Sequence, residues 1–175
     1  MAEKMKQKMK RLTQYIGEAY TIFSTSAGWM GVKASSEGLT DIVLPRQDVQ
    51  GIYDELGVKD KGQPSHFTDF IERCQAYFEG KPVDFPDAID ISSGTPFQQR
   101  VWLACRRIPR GKTKTYGELA AEVGSPKAAR ATGAALGQNP VAIVVPCHRV
   151  IASDGSLCGF GGGLKLKERM LELER

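Results

Sequence analysis

The chain has 175 residues, enough for one large domain or two small ones, and its 41% apolar and 25% charged residues are those of an ordinary globular protein. It has no apolar run near the roughly 18 residues of a membrane helix, no apolar stretch of a secretory signal behind its basic start, and no paired cysteine spacing of a secreted disulfide framework, so a cytoplasmic protein without membrane contact is expected. Net charge is +4 but uneven: residues 1–92 carry 11 Lys/Arg against 14 Asp/Glu, and residues 93–175 carry 13 against 6, so the second half is the one suited to a polyanion.

The start, with Lys4, Lys6, Lys8, Lys10 and Arg11, reads as a solvated tail. From Glu18 to Leu44 the pattern is that of strands. Tyr20, Ile22 and Ser24, then Trp29 to Ala34, then Leu39 to Leu44 are separated by Ala27-Gly28 and Ser36-Glu37-Gly38, which predicts an antiparallel meander. A short helix over Gln47 to Leu56 is closed by Gly57. Ser65 to Gly80 is an amphipathic helix whose apolar stripe is Phe67, Phe70, Ile71, Cys74, Tyr77 and Phe78. That stripe makes Cys74 a core residue, and His66 falls at the helix start as a surface or capping group.

Residues 80–94, with Pro82, Pro86, Gly94 and three aspartates, read as a connection between two domains, 1–92 and 93–175. Beyond it the signals are helical. Thr95-Pro96-Phe97-Gln98 is a capping box with proline at the first helical position, and Phe97, Val101, Cys105 and Ile108 share one face. Thr115-Tyr116-Gly117-Glu118 is a second capping box, and its helix runs to Gly124. Ser125-Pro126 is expected to cap a further helix, Lys127 to about Leu136, ended by Gly137. Two short helices joined by a tight turn form a helix-turn-helix pattern. The second is nearly bare (Ala128, Ala129, Ala131, Gly133, Ala134, Ala135), and Arg130 is its one long charged side chain at mid-helix. Asp154-Gly155 marks a turn, Gly159 to Gly163 a glycine-rich loop without a phosphate-loop lysine, and Leu164 to Leu173 a final amphipathic helix.

The chemistry concentrates in Pro146-Cys147-His148-Arg149-Val150. The preceding run Val141-Ala142-Ile143-Val144-Val145 reads as a buried strand, with Pro146 ending it and presenting Cys147 at its tip. A reactive cysteine needs a thiolate, and a base or a positive charge nearby produces one. Here thiol, imidazole and guanidinium are consecutive, although a lone cysteine after an apolar strand is more often a small core residue. Neighbours on an extended strand point to opposite faces, so His148 reaches the thiol only if the backbone turns or a water intervenes.

Thr95-Pro96-Phe97-Gln98, Gly111-Lys112 with Tyr116, Ser125-Pro126-Lys127-Ala128-Ala129-Arg130, Asn139-Pro140, Val145 to Val150 and Gly161-Gly162-Gly163-Leu164 together resemble the O6-alkylguanine-DNA alkyltransferase family, in order across the second half. The first half fits only in length and in its strand-then-helix pattern. The resemblance implies an α/β fold: a ribonuclease H-like N-terminal sheet with helices, and a helical C-terminal domain with a winged helix-turn-helix. It implies repair by direct reversal, in which Cys147 irreversibly accepts an alkyl group from O6-alkylguanine, with O4-alkylthymine a further candidate. It makes His148 the base acting through a water, Glu174 its orienter, Tyr116 the donor at the base edge and Asn139 the brace of the turn. Arg130, Ala129, Gly133, Thr115 and Ser153 are the implied DNA contacts. Tyr116, Leu136, Val150, Phe160 and Gly161 are the implied base pocket.

The implied partner is double-stranded DNA, entered through the minor groove with the alkylguanine flipped out and bound by a monomer associated with the nucleoid. No cofactor is implied. Phe160 replaces a tyrosine of some relatives, and Gly161 a serine. Some members hold zinc in the first half, but here that half has only Cys74 and His66. Three rivals stay open on the residues alone: a thiol hydrolase, a sensor that binds alkylated DNA without reacting, and a zinc-dependent regulator built on Cys147, His148 and Cys158. Otherwise Cys158 is expected to be a packing residue.

Overall fold

The computed structural model describes residues 18–175; the basic segment from Lys4 to Arg11 lies outside them. The expected meander is present as β1 (Ala19–Thr25), β2 (Gly28–Ala34) and β3 (Leu39–Arg46), an antiparallel sheet in that order. Its strands bury residues on both faces. Phe23, Met30, Val32, Ile42 and Leu44 belong to the main core, whereas Ile22 and Val43 join Ile52 and Leu56 of α1 (Val49–Leu56) in a smaller cluster on the opposite side. Asp48 caps α1 by accepting the Gln50 N–H at 3.0 Å, and Gly57 ends it in the left-handed region. Gly31 lets this helix lie close, since a Cβ there would sit 2.5 Å from the Leu56 side chain.

The next helix, α2, spans Thr68–Phe78 and starts later than expected, because Pro64–His66 form a 3-10 turn closed by the Phe67 N–H on the Pro64 carbonyl. Its stripe is buried as predicted, Cys74 included, except that Ile71 is half-buried. Residues 80–94 form no helix or strand beyond an isolated bridge, yet they are no free connection. The Leu39 N–H bonds the Ala88 carbonyl and the Asp90 N–H bonds the Leu39 carbonyl. Asp87 is buried against the Arg73 guanidinium at 2.5 Å, and Arg106 donates to the Phe85 and Asp87 carbonyls.

Both capping boxes form, Thr95 with Gln98 and Thr115 with Glu118, and they open α3 (Pro96–Arg106) and α4 (Tyr116–Glu122). Helix α5 (Ala129–Gly137) starts two residues later than expected. Ser125 does not cap it; its carbonyl takes the Ala128 N–H within a turn, and Ala128 at the N-cap has no side-chain acceptor. The last helix, α6 (Leu164–Leu173), has its expected bounds. Two-residue strands β4 (Lys114–Thr115) and β5 (Val150–Ile151) pair in parallel.

One apolar cluster runs from Phe23 and Met30 through Tyr77 and Val101 to Val150 and Met170, so both halves share a core. The Ile42 N–H on the Pro140 carbonyl at 2.8 Å joins the sheet edge to the segment before the cysteine.

Candidate active site

The strand expected at Val141–Val145 does not form. All five residues are buried, but Val141 and Ala142 make only isolated bridges, and Ile143 takes a φ of +77°. β-branched residues favour packed, half-buried surfaces, and here the core buries them without a ladder. Asn139 holds the fold-back instead. Its Oδ1 accepts the Val141 N–H at 3.1 Å, and its Nδ2 donates to the Val145 carbonyl at 2.8 Å. The same Nδ2 lies 3.2 Å from Cys147 Sγ.

Pro146 then reverses the chain. Its φ of −79° and ψ of 64° are those of an inverse γ-turn, closed by the Cys147 N–H on the Val145 carbonyl at 2.8 Å. Cys147–Arg149 form a 3-10 turn, so the strand-direction objection to a thiol–imidazole relay falls away.

Of the three consecutive polar groups, the imidazole and the guanidinium converge on Glu174, while the thiol faces Asn139. His148 is 1% exposed, and its Nε2 lies 2.7 Å from Glu174 Oε1. Its Nδ1 is buried and has no hydrogen-bond partner among the described residues. Arg149 does not address the thiol. It clamps Glu174 through Nε at 2.8 Å and Nη2 at 3.0 Å, and it donates to the Ile108 carbonyl. Tyr77 of α2 adds a bond from its hydroxyl to Glu174 Oε1 at 2.7 Å. Burial alone would raise the Glu174 pKa, but the hydrogen bonds from His148 and Arg149 outweigh it and hold the carboxyl far below its usual range. Burial depresses the His148 pKa, and Glu174 opposes this only in part. The imidazole is therefore neutral near pH 7. With Glu174 ionised, Nε2 carries the proton and Nδ1 presents the lone pair.

The resting sulfur differs from the expected thiolate. Cys147 is 9% exposed, and burial raises its pKa; the Asn139 bond and the Lys167 ammonium pull the other way without winning. Lys167 was not singled out by the sequence reading, although it falls on the apolar stripe of α6 between Leu164 and Met170. It is 0% exposed, donates to the Val150 carbonyl at 2.7 Å and the Cys158 carbonyl at 3.1 Å, and lies 5.9 Å from the Tyr116 ring centre. Tyr77 was also missed as a site residue. A tyrosine in a stripe otherwise of Phe, Ile and Cys is the available signal, since a buried hydroxyl needs a partner.

Tyr116 opens α4 and is half-buried; burial raises its pKa and keeps its hydroxyl protonated. Gly133 of α5 faces it, a Cβ there falling 3.5 Å from the ring. Val150 and Leu136 are buried, Phe160 is partly buried with its ring 6.5 Å from His148, and Gly161 is exposed. Thr115 caps α4 and pairs with Ile151, two residues before exposed Ser153; Ala129 is half-buried and Arg130 exposed. Cys158 is exposed, which corrects its expected packing role. Surface cavities of about 310, 330 and 310 Å³ lie near Tyr20, Asp41 and Arg106, and none of the three is lined by Cys147. Among the described residues no group of three or more His, Cys, Asp or Glu could hold a metal, and no helix is long and apolar enough to cross a membrane.

Residues 96–175 match the family model described as 6-O-methylguanine DNA methyltransferase, DNA binding domain. A Methanosarcina acetivorans protein named methylated-DNA–protein-cysteine methyltransferase is 39% identical over 155 residues, 89% of this chain and 97% of that protein. A Mycobacterium tuberculosis protein of the same name is 50% identical over 112 residues, 64% of this chain and 67% of its own. The crystal structure of Mycobacterium tuberculosis OGT in complex with DNA superposes with a TM-score of 0.74 at 39% identity, over 89% of this chain and 91% of that one.

Proposed function

Because this chain belongs to the methylated-DNA–protein-cysteine methyltransferase family, we propose that Cys147 is the acceptor through which it works. The protein repairs DNA by moving an alkyl group from O6-alkylguanine to a cysteine of its own. The observation that carries the assignment to Cys147 is its sulfur 3.2 Å from Asn139 Nδ2, in a turn continuous with the His148–Glu174 pair.

In the proposed step the thiol proton passes through a water to His148 Nδ1 as sulfur attacks the alkyl carbon. The S–C bond forms, the C–O6 bond breaks, and the electron pair stays on the guanine. Tyr116, kept protonated by burial, donates to the base edge and eases departure of the guanine. Glu174 balances the charge that develops on His148, and Lys167 stabilises the sulfur as its proton leaves. A buried thiol that ionises only during transfer is protected from indiscriminate electrophiles.

The target base leaves the stack at a cost of a few kcal/mol, and Arg130 fills the gap. The bare helix α5, with Ala129 and Gly133, enters the minor groove, while Thr115 and Ser153 hold the phosphates beside it. The flipped base lies between Tyr116, Leu136, Val150, Phe160 and Gly161, and the stretch before α6 moves to admit it. In this reading residues 93–175 form a winged helix-turn-helix domain that binds and reacts, and residues 1–92 a ribonuclease H-like support that lends Tyr77. The protein acts as a monomer on nucleoid DNA in the cytoplasm. Binding is insensitive to sequence and weakens with salt.

Intact-mass measurement tests the assignment. The parent mixed with O6-methylguanine DNA gains one methyl on the peptide containing Cys147, and Cys147→Ala gains none. Equal labelling of both overturns it.

A further inference from the structure

The alkyl-transfer reading leaves Cys158 unused, yet its neighbourhood is unusual. Its backbone carbonyl lies 3.1 Å from the buried Lys167 ammonium, which also lies 2.7 Å from the Val150 carbonyl. Val150 is the residue whose N–H closes the Cys147 turn on the Cys147 carbonyl. One side-chain nitrogen therefore pins the backbone of both cysteines' segments within two hydrogen-bond lengths of each other. The same Lys167 ammonium lies 5.9 Å from the centre of the Tyr116 ring.

The two sulfurs differ in access: Cys158 is exposed, while Cys147 is 9% exposed. Residues 156–160 form no helix or strand, and glycines at 159 and 161 have open space where a Cβ would go. A disulfide needs Cα atoms about 4.4–6.8 Å apart, and a loop of this kind can supply the approach.

We propose that Cys158 is a redox entry point that reversibly blocks the reactive cysteine by forming a Cys147–Cys158 disulfide. The oxidant is a low-molecular-weight disulfide such as oxidised glutathione, which meets the exposed Cys158 thiol before the buried Cys147. The Cys158 thiolate attacks one glutathione sulfur; the glutathione S–S bond breaks, and one glutathione leaves and takes up a proton. Cys147 then loses its proton and attacks the Cys158 sulfur. The protein S–S bond forms and the second glutathione leaves as a thiol. Two protein thiols are oxidised by two electrons, and one disulfide is reduced to two thiols. The bond ties the loop across the alkyl-accepting sulfur and spares it from irreversible oxidation.

The activity readout rests on Cys147 being the alkyl acceptor; the peptide map does not. The full-length protein is incubated with oxidised glutathione, digested with trypsin without reductant, and assayed in parallel for methyl acceptance from O6-methylguanine DNA. Trypsin cuts at Arg149, so the two cysteines fall on separate peptides. The parent is expected to show these peptides joined and to lose methyl acceptance at least ~10-fold, with recovery in dithiothreitol. Cys158→Ser keeps full acceptance in the same oxidant, and Cys147→Ser stops at a stable glutathione adduct on Cys158. The proposal is overturned if parental Cys158 keeps its glutathione while acceptance persists, if Cys147 joins Cys105 instead, or if Cys158→Ser is inhibited equally. Failure of the reduced parent to accept methyl would remove the alkyl-transfer reading, and the peptide map would still decide the disulfide.

Discussion

Tyr77→Phe isolates the one member of the relay supplied by the N-terminal half. The hydroxyl donates to Glu174 Oε1 at 2.7 Å and lies 3.3 Å from His148 Nε2. A hydrogen bond to a charged group contributes about 1.5–3 kcal/mol net. Here the carboxylate keeps three other donors, His148 Nε2 and Arg149 Nε and Nη2. No buried acceptor is left bare, so the loss belongs at the low end, about 1–2 kcal/mol. Phenylalanine preserves the edge contacts of the ring with Phe78 and Phe85, at 5.1 and 5.9 Å, so no cavity adds to the cost. For a chain of this size that free energy lowers Tm by about 2–8 °C. Urea unfolding at pH 7 should give the same difference with an unchanged slope. In single-turnover assays methyl transfer should slow by less than about tenfold, because Tyr77 acts on Glu174 and not on the sulfur. An unchanged Tm together with an unchanged rate would refute the view that Tyr77 supports the carboxylate.

Glu174→Gln should cost more, about 3–5 kcal/mol, because it leaves the largely buried Arg149 guanidinium without its counter-charge; urea denaturation measures it, and a loss below that of Tyr77→Phe would contradict the network. Stability should fall on both sides of neutrality. The depressed His148 pKa withdraws stability below about pH 6.5 and the depressed Glu174 pKa below about pH 4.3, while the raised Cys147 pKa withdraws it above about pH 8.5. Thermal unfolding across pH checks those limbs, and Cys147→Ala should make the alkaline one shallower without removing it, because buried Cys74 and Cys105, whose thiols burial also pushes up, contribute to it. The acid limb of the methyl-transfer rate should likewise lie below pH 6.5, since His148, the base we propose, resists protonation. Arg130→Ala should slow repair of duplex DNA at least tenfold and transfer from free O6-benzylguanine hardly at all, because stack insertion matters only when a base must be held out; equal slowing would remove Arg130 from that role.

Much of the architecture was legible because its signals are local. A capping box involves four adjacent residues, so Thr95–Gln98 and Thr115–Glu118 could be read directly and formed as read. The meander and the stripe on α2 follow from periodicity, which is likewise a short-range property. Where local signals competed, the reading slipped. Ser125-Pro126 resembles a helix start, but the Ser125 carbonyl closes a turn first; Val141–Val145 has strand composition, but Asn139 folds it back.

From the amino-acid sequence alone came the candidate pair Cys147-His148, the bare helix with Arg130, and the family resemblance, because each is a short run of residue types that chemistry demands in order. Glu174 beside His148 was implied by the resemblance; only the tertiary structure added Tyr77, Arg149 and Lys167 to the groups around that pair. Glu174 meets Tyr77 across 97 positions and His148 across 26, and Lys167 reaches over the turn from the far end of the chain. Arg149, next to His148 and two positions from Cys147, turned to the carboxylate instead of the sulfur. Adjacency along the chain says which groups are present; burial and long-range packing set their protonation, because the cost of a charge depends on everything folded around it.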